Sequence, residues 1–284
     1  MAKFILSAFA DEYSKNFDEQ LIGLAENDIH NIELRGVNNK NVDKLTLDEV
    51  KEVKKKLDDC GIGLSAVGSP IGKIKITDDF DAHLELLRHV IEEAHILGTD
   101  RIRMFSFYLP EGENANKYRG QVMDRLSAML DIAEKENVLL CNENEKGIYC
   151  DISERALDVQ RYFGGKIKCV FDHANYLCCN DEPYPKAYQM LKDEIFYMHI
   201  KDYLLPEKRM ARAGFGSGKI KETLADLNKF DKTYYLTLEP HLVVFNGLSN
   251  LQANDENCKV IDQYPTSALA FKAAADALKD CLPQ

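Results

Sequence analysis

The chain has 284 residues, 45% of them hydrophobic, which is enough for one large domain or two small ones with a sizeable core. Its formal net charge is −11, from 47 acidic and 36 basic residues, which argues against nucleic acid as the main partner because phosphate binding needs a basic surface. The apolar run near the N-terminus is too short for a signal peptide or a membrane span. Eight cysteines without a CxxC pair argue against a zinc ribbon or a disulfide framework, so we expect a cytoplasmic protein.

Short apolar runs alternate with longer amphipathic stretches along the chain, which predicts repeated strand–helix units. The predicted strands cover residues 4–10, 31–35, 64–67, 101–107, 138–142, 167–171, 195–200 and 234–238. The first predicted helix lies around Phe17, Leu21 and Leu24, and the others cover residues 46–60, 79–97, 118–136, 153–163, 185–192, 220–230 and 267–282. Ser153 is a predicted N-cap.

These units, of about 35 residues each, predict a single (β/α)8 TIM barrel over residues 1–284. A doubly wound open sheet is the alternative, but no GxGxxG motif follows the first strand to support it.

Four successive predicted strands end in residues that can bind a metal ion. In chain order these are Glu143, Asp172, His199 and Glu239. The active site of a TIM barrel lies at the C-terminal ends of its strands, so these side chains should lie at one level. Three carboxylates and an imidazole suit one divalent ion, Mn²⁺ first, with Mg²⁺, Co²⁺ and Zn²⁺ as alternatives. Such an ion would also offset the repulsion between the carboxylates.

Other polar residues near strand ends carry weaker signals. Arg35 shares a face of the second strand with Glu33, and Ser69 follows the third strand, so Arg35 and Ser69 are predicted to contact substrate. Asp11 and Glu12, after the first strand, are expected to be solvated. The structural residues should include Cys141, packed in the core one layer below Glu143, and His30, His83, His89 and His95. The pair Cys178-Cys179 is expected in a loop, without chemistry.

The loop over residues 208–219 is basic and rich in glycine within an acidic protein. Its backbone amides, with Arg209 and Arg212, could bind a phosphate or the carboxylate of a sugar acid. The alternative is a mobile lid with solvated basic residues, and the spacing of a P-loop is absent.

The motifs at the last four strand ends resemble those of a known family. They read Glu143-Asn144-Glu145, Phe171-Asp172-His173-Ala174-Asn175, His199-Ile200-Lys201-Asp202 and Leu238-Glu239-Pro240-His241. In this order they resemble the xylose-isomerase-like TIM barrels, the group of sugar phosphate isomerases and epimerases. The resemblance implies that the four strand-end ligands hold the metal. Asn175 replaces a substrate-binding His of some epimerases, and Glu145 replaces a common His.

The resemblance also places Lys201 and Asp202 near the metal. The predicted substrate-binding residues are therefore Arg35, Ser69, Glu145, Asn175, Lys201, Asp202, Arg209 and Arg212. Glu143 and Glu239, from strands on different sides of the ring, are the predicted catalytic bases.

The predicted function is a divalent-metal-dependent isomerase or epimerase of a sugar or sugar phosphate, acting by proton transfer through an enediolate. One alternative is a dehydratase of a cyclic polyol or a dehydroshikimate-type substrate on the same site, and another is a non-catalytic sugar-binding protein. An endonuclease IV-like zinc enzyme would need more histidines and a basic groove. A small sugar is the predicted partner, with no nucleic acid or membrane, and a homodimer is compatible with the sequence.

Overall fold

Eight parallel strands close into a barrel in the computed structural model, which describes residues 1–242, 259–260 and 264–283. The barrel strands β1 to β8 are Lys3–Ala8, Asn31–Leu34, Gly63–Gly68, Arg101–Met104, Leu139–Glu143, Lys168–Asp172, Ile195–Ile200 and Thr233–Leu238. Neighbours in the chain pair in parallel, and β1 closes the ring against β8, with Ala8 opposite Leu238. The predicted (β/α)8 TIM barrel is confirmed.

Helices connect the barrel strands and cover the outside of the ring. In chain order α1 to α9 are Phe17–Glu26, Leu47–Asp59, Phe80–Leu97, Arg119–Lys135, Ser153–Phe163, His173–Cys178, Tyr188–Leu191, Ile220–Leu227 and Ser267–Lys279. Local sequence sets several of their ends. Thr46 and Glu49 form a reciprocal capping box at α2, and Gly98 ends α3 in the left-handed conformation that glycine adopts without strain.

Several local predictions are wrong. The first strand ends at Ala8 rather than at residue 10, and α7 covers only Tyr188–Leu191 of the helix predicted over residues 185–192. Strand β4 ends at Met104 rather than at residue 107, because Phe105 N–H donates to Ile71 O and Phe107 has a φ of 68°. Ser153 is the first residue of α5 rather than its N-cap, and its N–H donates to the Asp181 carboxylate at 2.6 Å. Cys178 ends α6 instead of lying in a loop.

The segment between β7 and α8 is more ordered than predicted. Strands Asp202–Leu204 and Arg209–Ala211 pair as an antiparallel hairpin, and Lys259–Val260 lies parallel to the second of them. Part of the predicted basic loop is therefore sheet.

Inside the barrel an apolar layer supports a polar one. The apolar cluster consists of Ala66, Cys141, Val170 and Tyr197, so Cys141 is a core residue as predicted. Side chains alternate between the two faces of a strand. The residues two positions after Cys141, Val170 and Tyr197 therefore also point into the barrel, nearer the C-terminal ends of the strands. From β5, β6 and β7 these are Glu143, Asp172 and His199. Among the described helices, none is long and apolar enough to cross a bilayer.

Candidate functional site

Four buried side chains meet at the carboxyl ends of β5 to β8: Glu143, Asp172, His199 and Glu239. Each offers one nitrogen or oxygen, and these atoms all lie within 4.8 Å of one another. Asp172 Oδ2 and His199 Nδ1 are buried and make no hydrogen bond in the described part of the chain. Buried polar atoms normally have a partner. The nearest charged neighbours of these two atoms are Lys201 Nζ, 3.2 Å from Asp172 Oδ2, and Glu143 Oε1, 3.0 Å from His199 Nδ1. The donor set, three carboxylates and one imidazole, fits a divalent cation.

His199 is oriented by a second carboxylate. Its Nε2 lies 3.1 Å from Glu33 Oε2, and Glu33 also accepts hydrogen bonds from the hydroxyls of Tyr197 and Thr237, at 3.1 and 2.9 Å. The other ring nitrogen, Nδ1, lies 3.0 Å from Glu143 Oε1. A carboxylate on the far side of a histidine ring fixes the tautomer that can bind metal. Because Glu33 contacts Nε2, the other ring nitrogen, Nδ1, faces the carboxylates of Glu143 and Glu239.

Two asparagines hold the carboxylates of β5 and β6 in place. The Asn144 side chain donates to Asp172 O at 2.9 Å and accepts from Asp172 N at 2.8 Å. Asn175 Nδ2 donates to Asn144 O at 2.8 Å and lies 3.3 Å from Glu143 Oε1, and Asn175 N donates to Asp172 Oδ1 at 2.8 Å. Asn175, predicted to bind substrate, therefore lies beside the carboxylates and its amide already has protein acceptors.

Arg35 connects the first, second and eighth strand ends. Its guanidinium donates to Glu239 Oε1 at 2.8 Å, to both Asp11 oxygens and to Glu12 Oε1. Glu12 is 8% exposed, and it also accepts the backbone N–H of His241. The expectation that Asp11 and Glu12 are merely solvated is wrong, because buried Arg35 pairs with both carboxylates.

Lys201 lies inside the cluster. Its Nζ is 3.2 Å from Asp172 Oδ2 and 3.3 Å from Glu239 Oε2, and the side chain is 2% exposed. Burial acts to lower the pKa of Lys201, but the charges of Asp172 and Glu239 outweigh it and raise that pKa well above its usual value. Lys201 is therefore a buried cation beside Asp172 and Glu239.

The three carboxylates have different proton affinities. Burial acts to raise the pKa of each carboxyl group. In Asp172 the effect of burial is larger than the opposing effect of the Lys201 charge, and the pKa is raised to about 7. In Glu143 the His199 charge outweighs burial and lowers the pKa to about 2. In Glu239 the charges of Lys201 and His241 lower the pKa well below its usual value. The two predicted bases are thus held ionised at neutral pH.

Asp202 occupies the anion site that was predicted in the glycine-rich loop. Its carboxylate accepts the backbone N–H groups of Tyr203, Gly214, Gly216 and Gly218 at 2.8 to 3.0 Å. A Cβ on Gly216 would lie 2.2 Å from Asp202 Oδ1, so the close approach requires glycine. These amides cannot also hold a phosphate, and Asp202, fully buried, organises the loop instead of meeting substrate.

Of the four remaining predicted substrate contacts, three have partners within the chain and Arg209 lies in an outer strand. Arg212 stacks over Phe215 at 4.3 Å, and Arg209 begins the outer strand Arg209–Ala211. The Ser69 hydroxyl donates to Arg103 O at 2.6 Å and is buried. Glu145 pairs with Lys73 at 3.1 Å. These four side chains are not part of the cluster that Glu143, Asp172, His199 and Glu239 form.

Sequence reasoning missed two buried charges of the site. Glu33, on β2, was noticed only for sharing a face with Arg35. The second is Arg103, on β4, whose Nε lies 3.5 Å from Glu143 Oε2. A charged residue inside a short apolar strand was the available signal for both, the same one that identified His199.

A family model described as xylose isomerase-like TIM barrel matches residues 24–264. The chain belongs to the xylose isomerase-like TIM barrel family. The match covers most of the chain and agrees with the closed eight-stranded barrel. The resemblance stated from the four strand-end motifs is confirmed.

Solved structures with this fold cover almost the whole of this xylose isomerase-like barrel. A D-allulose 3-epimerase from Methylomonas sp. is 14% identical with a TM-score of 0.73, covering 99% of this chain and 100% of its own. The IOLI protein, with a binding zinc atom, is 16% identical with a TM-score of 0.72, covering 99% and 98%. The probable 3-DHS dehydratase AsbF from Bacillus anthracis is 15% identical with a TM-score of 0.72, covering 98% and 99%.

At these identities the similarity shows the shared fold. A search of curated protein sequences finds no significant match.

Proposed function

We propose that this protein is a divalent-metal-dependent enzyme that isomerises or epimerises a sugar or a sugar derivative by moving a proton beside a carbonyl group. The observation that carries the proposal is the buried set of Glu143, Asp172, His199 and Glu239, whose ligand atoms all lie within 4.8 Å of one another. Sugar epimerases and a zinc-binding protein among the structural neighbours support it. Mn²⁺ is the first candidate ion for three carboxylates and one imidazole, with Mg²⁺, Co²⁺ and Zn²⁺ as alternatives.

A bound divalent ion would polarise two neighbouring substrate oxygens and so acidify the adjacent C–H bond. Glu143 and Glu239, from β5 and β8, are the proposed bases, and the lowered pKa of each keeps it ionised at neutral pH, the form that a base requires. Arg35 donates to Glu239 Oε1 and so directs Oε2 towards His199 and Lys201. Two bases on different sides of the ring suit epimerisation, whereas aldose–ketose isomerisation needs one of them.

Lys201 supports the second candidate, a dehydratase on the same site. A buried ammonium beside Asp172 and Glu239 can donate a hydrogen bond to a substrate oxygen and stabilise negative charge that develops on it, including on a hydroxyl that leaves. The similarity to a probable dehydratase fits this chemistry too. The reaction products distinguish the two candidates.

The first test measures bound metal by ICP-MS in the wild type and in His199→Ala, after incubation with each ion and desalting. We expect about one ion per wild-type chain and a large loss in the variant. The matched control is His30→Ala, because His30 is 70% exposed and lies outside the site. A wild type that retains none of the four ions would overturn the proposal.

The second test follows solvent deuterium into a panel of ketoses, ketose phosphates and sugar acids on the metal-loaded protein. Carbon-bound deuterium in a rearranged sugar supports the isomerase or epimerase, with a loss of about 10²-fold or more in Glu143→Gln or Glu239→Gln. An unsaturated, ultraviolet-absorbing product would favour the dehydratase. Metal binding without exchange or product across the panel would favour a sugar-binding protein.

A further inference from the structure

Arg103 is a buried arginine whose Nε makes no hydrogen bond to the described residues. The residue is 3% exposed, and its Nε has no hydrogen-bond partner. The two nearest carboxylate contacts are long, 3.5 Å from Nε to Glu143 Oε2 and 3.8 Å to Glu33 Oε1. A guanidinium has five N–H donors in a fixed fork, and leaving buried donors unsatisfied is costly. A ligand acceptor at this place would remove that cost.

The other cations of the site already have acceptors. Arg35 donates to three carboxylates, Lys201 contacts Asp172 and Glu239, and Lys73 pairs with Glu145. Arg103 differs in that its carboxylate contacts, with Glu143 at 3.5 Å and Glu33 at 3.8 Å, are longer than any of these.

Two aromatic rings hold the guanidinium of Arg103 in place. Its Cζ lies 4.6 Å from the Phe105 ring centre and 5.4 Å from that of Phe9. The Phe9 ring also packs edge-on against His199, with 5.0 Å between ring centres. Stacking on aromatic faces restricts the plane of a guanidinium and lowers the entropy lost when it binds a planar partner. The guanidinium of Arg103 is thus held in one orientation before a ligand binds, beside the proposed metal ligands.

We propose that Arg103 binds a carboxylate group of the substrate, so that the sugar derivative acted on is an acid with its carboxylate close to the reacting carbons. The inference rests on the proposed function, because it assumes that substrate meets Glu143. Arg103 contacts that glutamate directly, so the anionic group that it binds lies near the proton-transfer centre. A planar carboxylate matches the two-pronged fork. The glycine-rich loop is no competing anion site, because Asp202 fills it.

The test compares three small probes on the Mn²⁺-loaded protein by isothermal titration calorimetry. Tartrate has two vicinal hydroxyls flanked by carboxylates, threitol is its neutral counterpart, and glycerol 3-phosphate carries a phosphate. We expect tartrate to bind about tenfold or more tighter than threitol. Arg103→Met should remove most of that preference without changing threitol binding. Arg101→Met is the matched control, since Arg101 lies two residues earlier on the same strand and donates to Ser65 O.

Arg103→Lys keeps the charge and loses the fork, so tartrate binding should weaken several-fold while folding is preserved. Equal affinity of the wild type for tartrate and threitol would overturn the inference, as would equal losses in the Arg103 and Arg101 variants. Preference for glycerol 3-phosphate over tartrate would overturn the assignment of a carboxylate and favour a phosphate. Metal content, measured on the same samples, separates the two proposals: no bound ion refutes the proposed function, whereas bound ion without a tartrate preference refutes only the role of Arg103.

Discussion

At the scale of single residues, the hydrogen bond between His199 and Glu33 decides which ring nitrogen faces the carboxylates. Glu33 is fully buried and accepts from Tyr197, Thr237 and His199. Burial acts to lower the pKa of His199, but Glu143 and Glu33 outweigh it and raise that pKa to about 10. Glu33 therefore supports the proposed metal site through His199, although it lies on the far side of the imidazole ring from the proposed carboxylate ligands.

Replacement of Glu33 tests this role. In Glu33→Gln the uncharged amide holds the imidazole less strongly, so we expect Mn²⁺ affinity to fall by about 10- to 100-fold, measured by equilibrium dialysis. Tyr197→Phe removes one hydrogen bond to Glu33 and leaves the contact with His199, so its affinity should stay within about threefold of the wild type. Unchanged affinity in a folded Glu33→Gln protein would show that the contact does not orient the ligand.

At the scale of secondary-structure elements, α3 buries a carboxyl group that has no hydrogen-bond donor. Glu93 is fully buried, and neither oxygen makes a hydrogen bond within the described chain, although His89 Nε2 lies 3.2 Å from Oε1. Burial, with a smaller effect of Asp43, raises the pKa of Glu93 from 4.5 to about 8. The folded protein thus keeps a proton that the unfolded chain loses.

This difference predicts how stability depends on pH. Between about pH 4.5 and pH 8 the folded state binds more protons at Glu93 than the unfolded state, so the free energy of unfolding falls as the pH rises. Glu93→Gln stays neutral and avoids this loss. We expect similar stability of variant and wild type at pH 5, and a variant more stable by on the order of 3 kcal/mol at pH 8, from urea unfolding. The exposed neighbour Glu92 provides the control Glu92→Gln, which should follow the wild type at both values of pH.

The glycine-rich loop makes a second element-scale prediction. Asp202 accepts four backbone N–H groups. An asparagine offers one oxygen and places an NH2 group against amide donors. Asp202→Asn should therefore destabilise the protein by about 2 kcal/mol and speed hydrogen exchange of residues 205–218. The control Asp231→Asn changes an exposed residue and should leave exchange in this segment unaltered. Equal exchange in the two variants would contradict the role of Asp202.

At the scale of the whole molecule, closure of the barrel brings together residues separated by about a hundred positions, and a metal bound there should stabilise the complete fold. Only the folded state assembles the ligands from β5 to β8, so an ion at 100 times its Kd adds about 2.7 kcal/mol to the free energy of unfolding. For a chain of this size that corresponds to an increase in Tm of about 5 °C. Calorimetry with Mn²⁺ and with EDTA should show this increase in the wild type and not in His199→Ala. An equal increase in both would point to ions bound elsewhere.

The sequence by itself determined the alternation of strands and helices and the residue type at each strand end. These are local properties: apolar periodicity marks the elements, and polar residues such as Glu143 and His199 interrupt or end short apolar runs. The barrel then followed from the number of units, and the barrel rule placed the strand ends at one level. The single domain, the cytoplasmic location and the homodimer stay predictions.

Only the tertiary structure decided which charges meet. Arg35 and Glu239 are 204 positions apart yet 2.8 Å from each other, and no periodicity encodes such a pair. The backbone amides of the glycine-rich loop had two candidate anions, a ligand phosphate and a carboxylate of the chain, and the loop's path selects Asp202. The sequence places Arg103 on a strand, but only the positions of its neighbours show that its Nε has no hydrogen-bond acceptor among the described residues. Hydrogen bonds depend on distances within a few tenths of an ångström, and those distances exist only once the ring has closed.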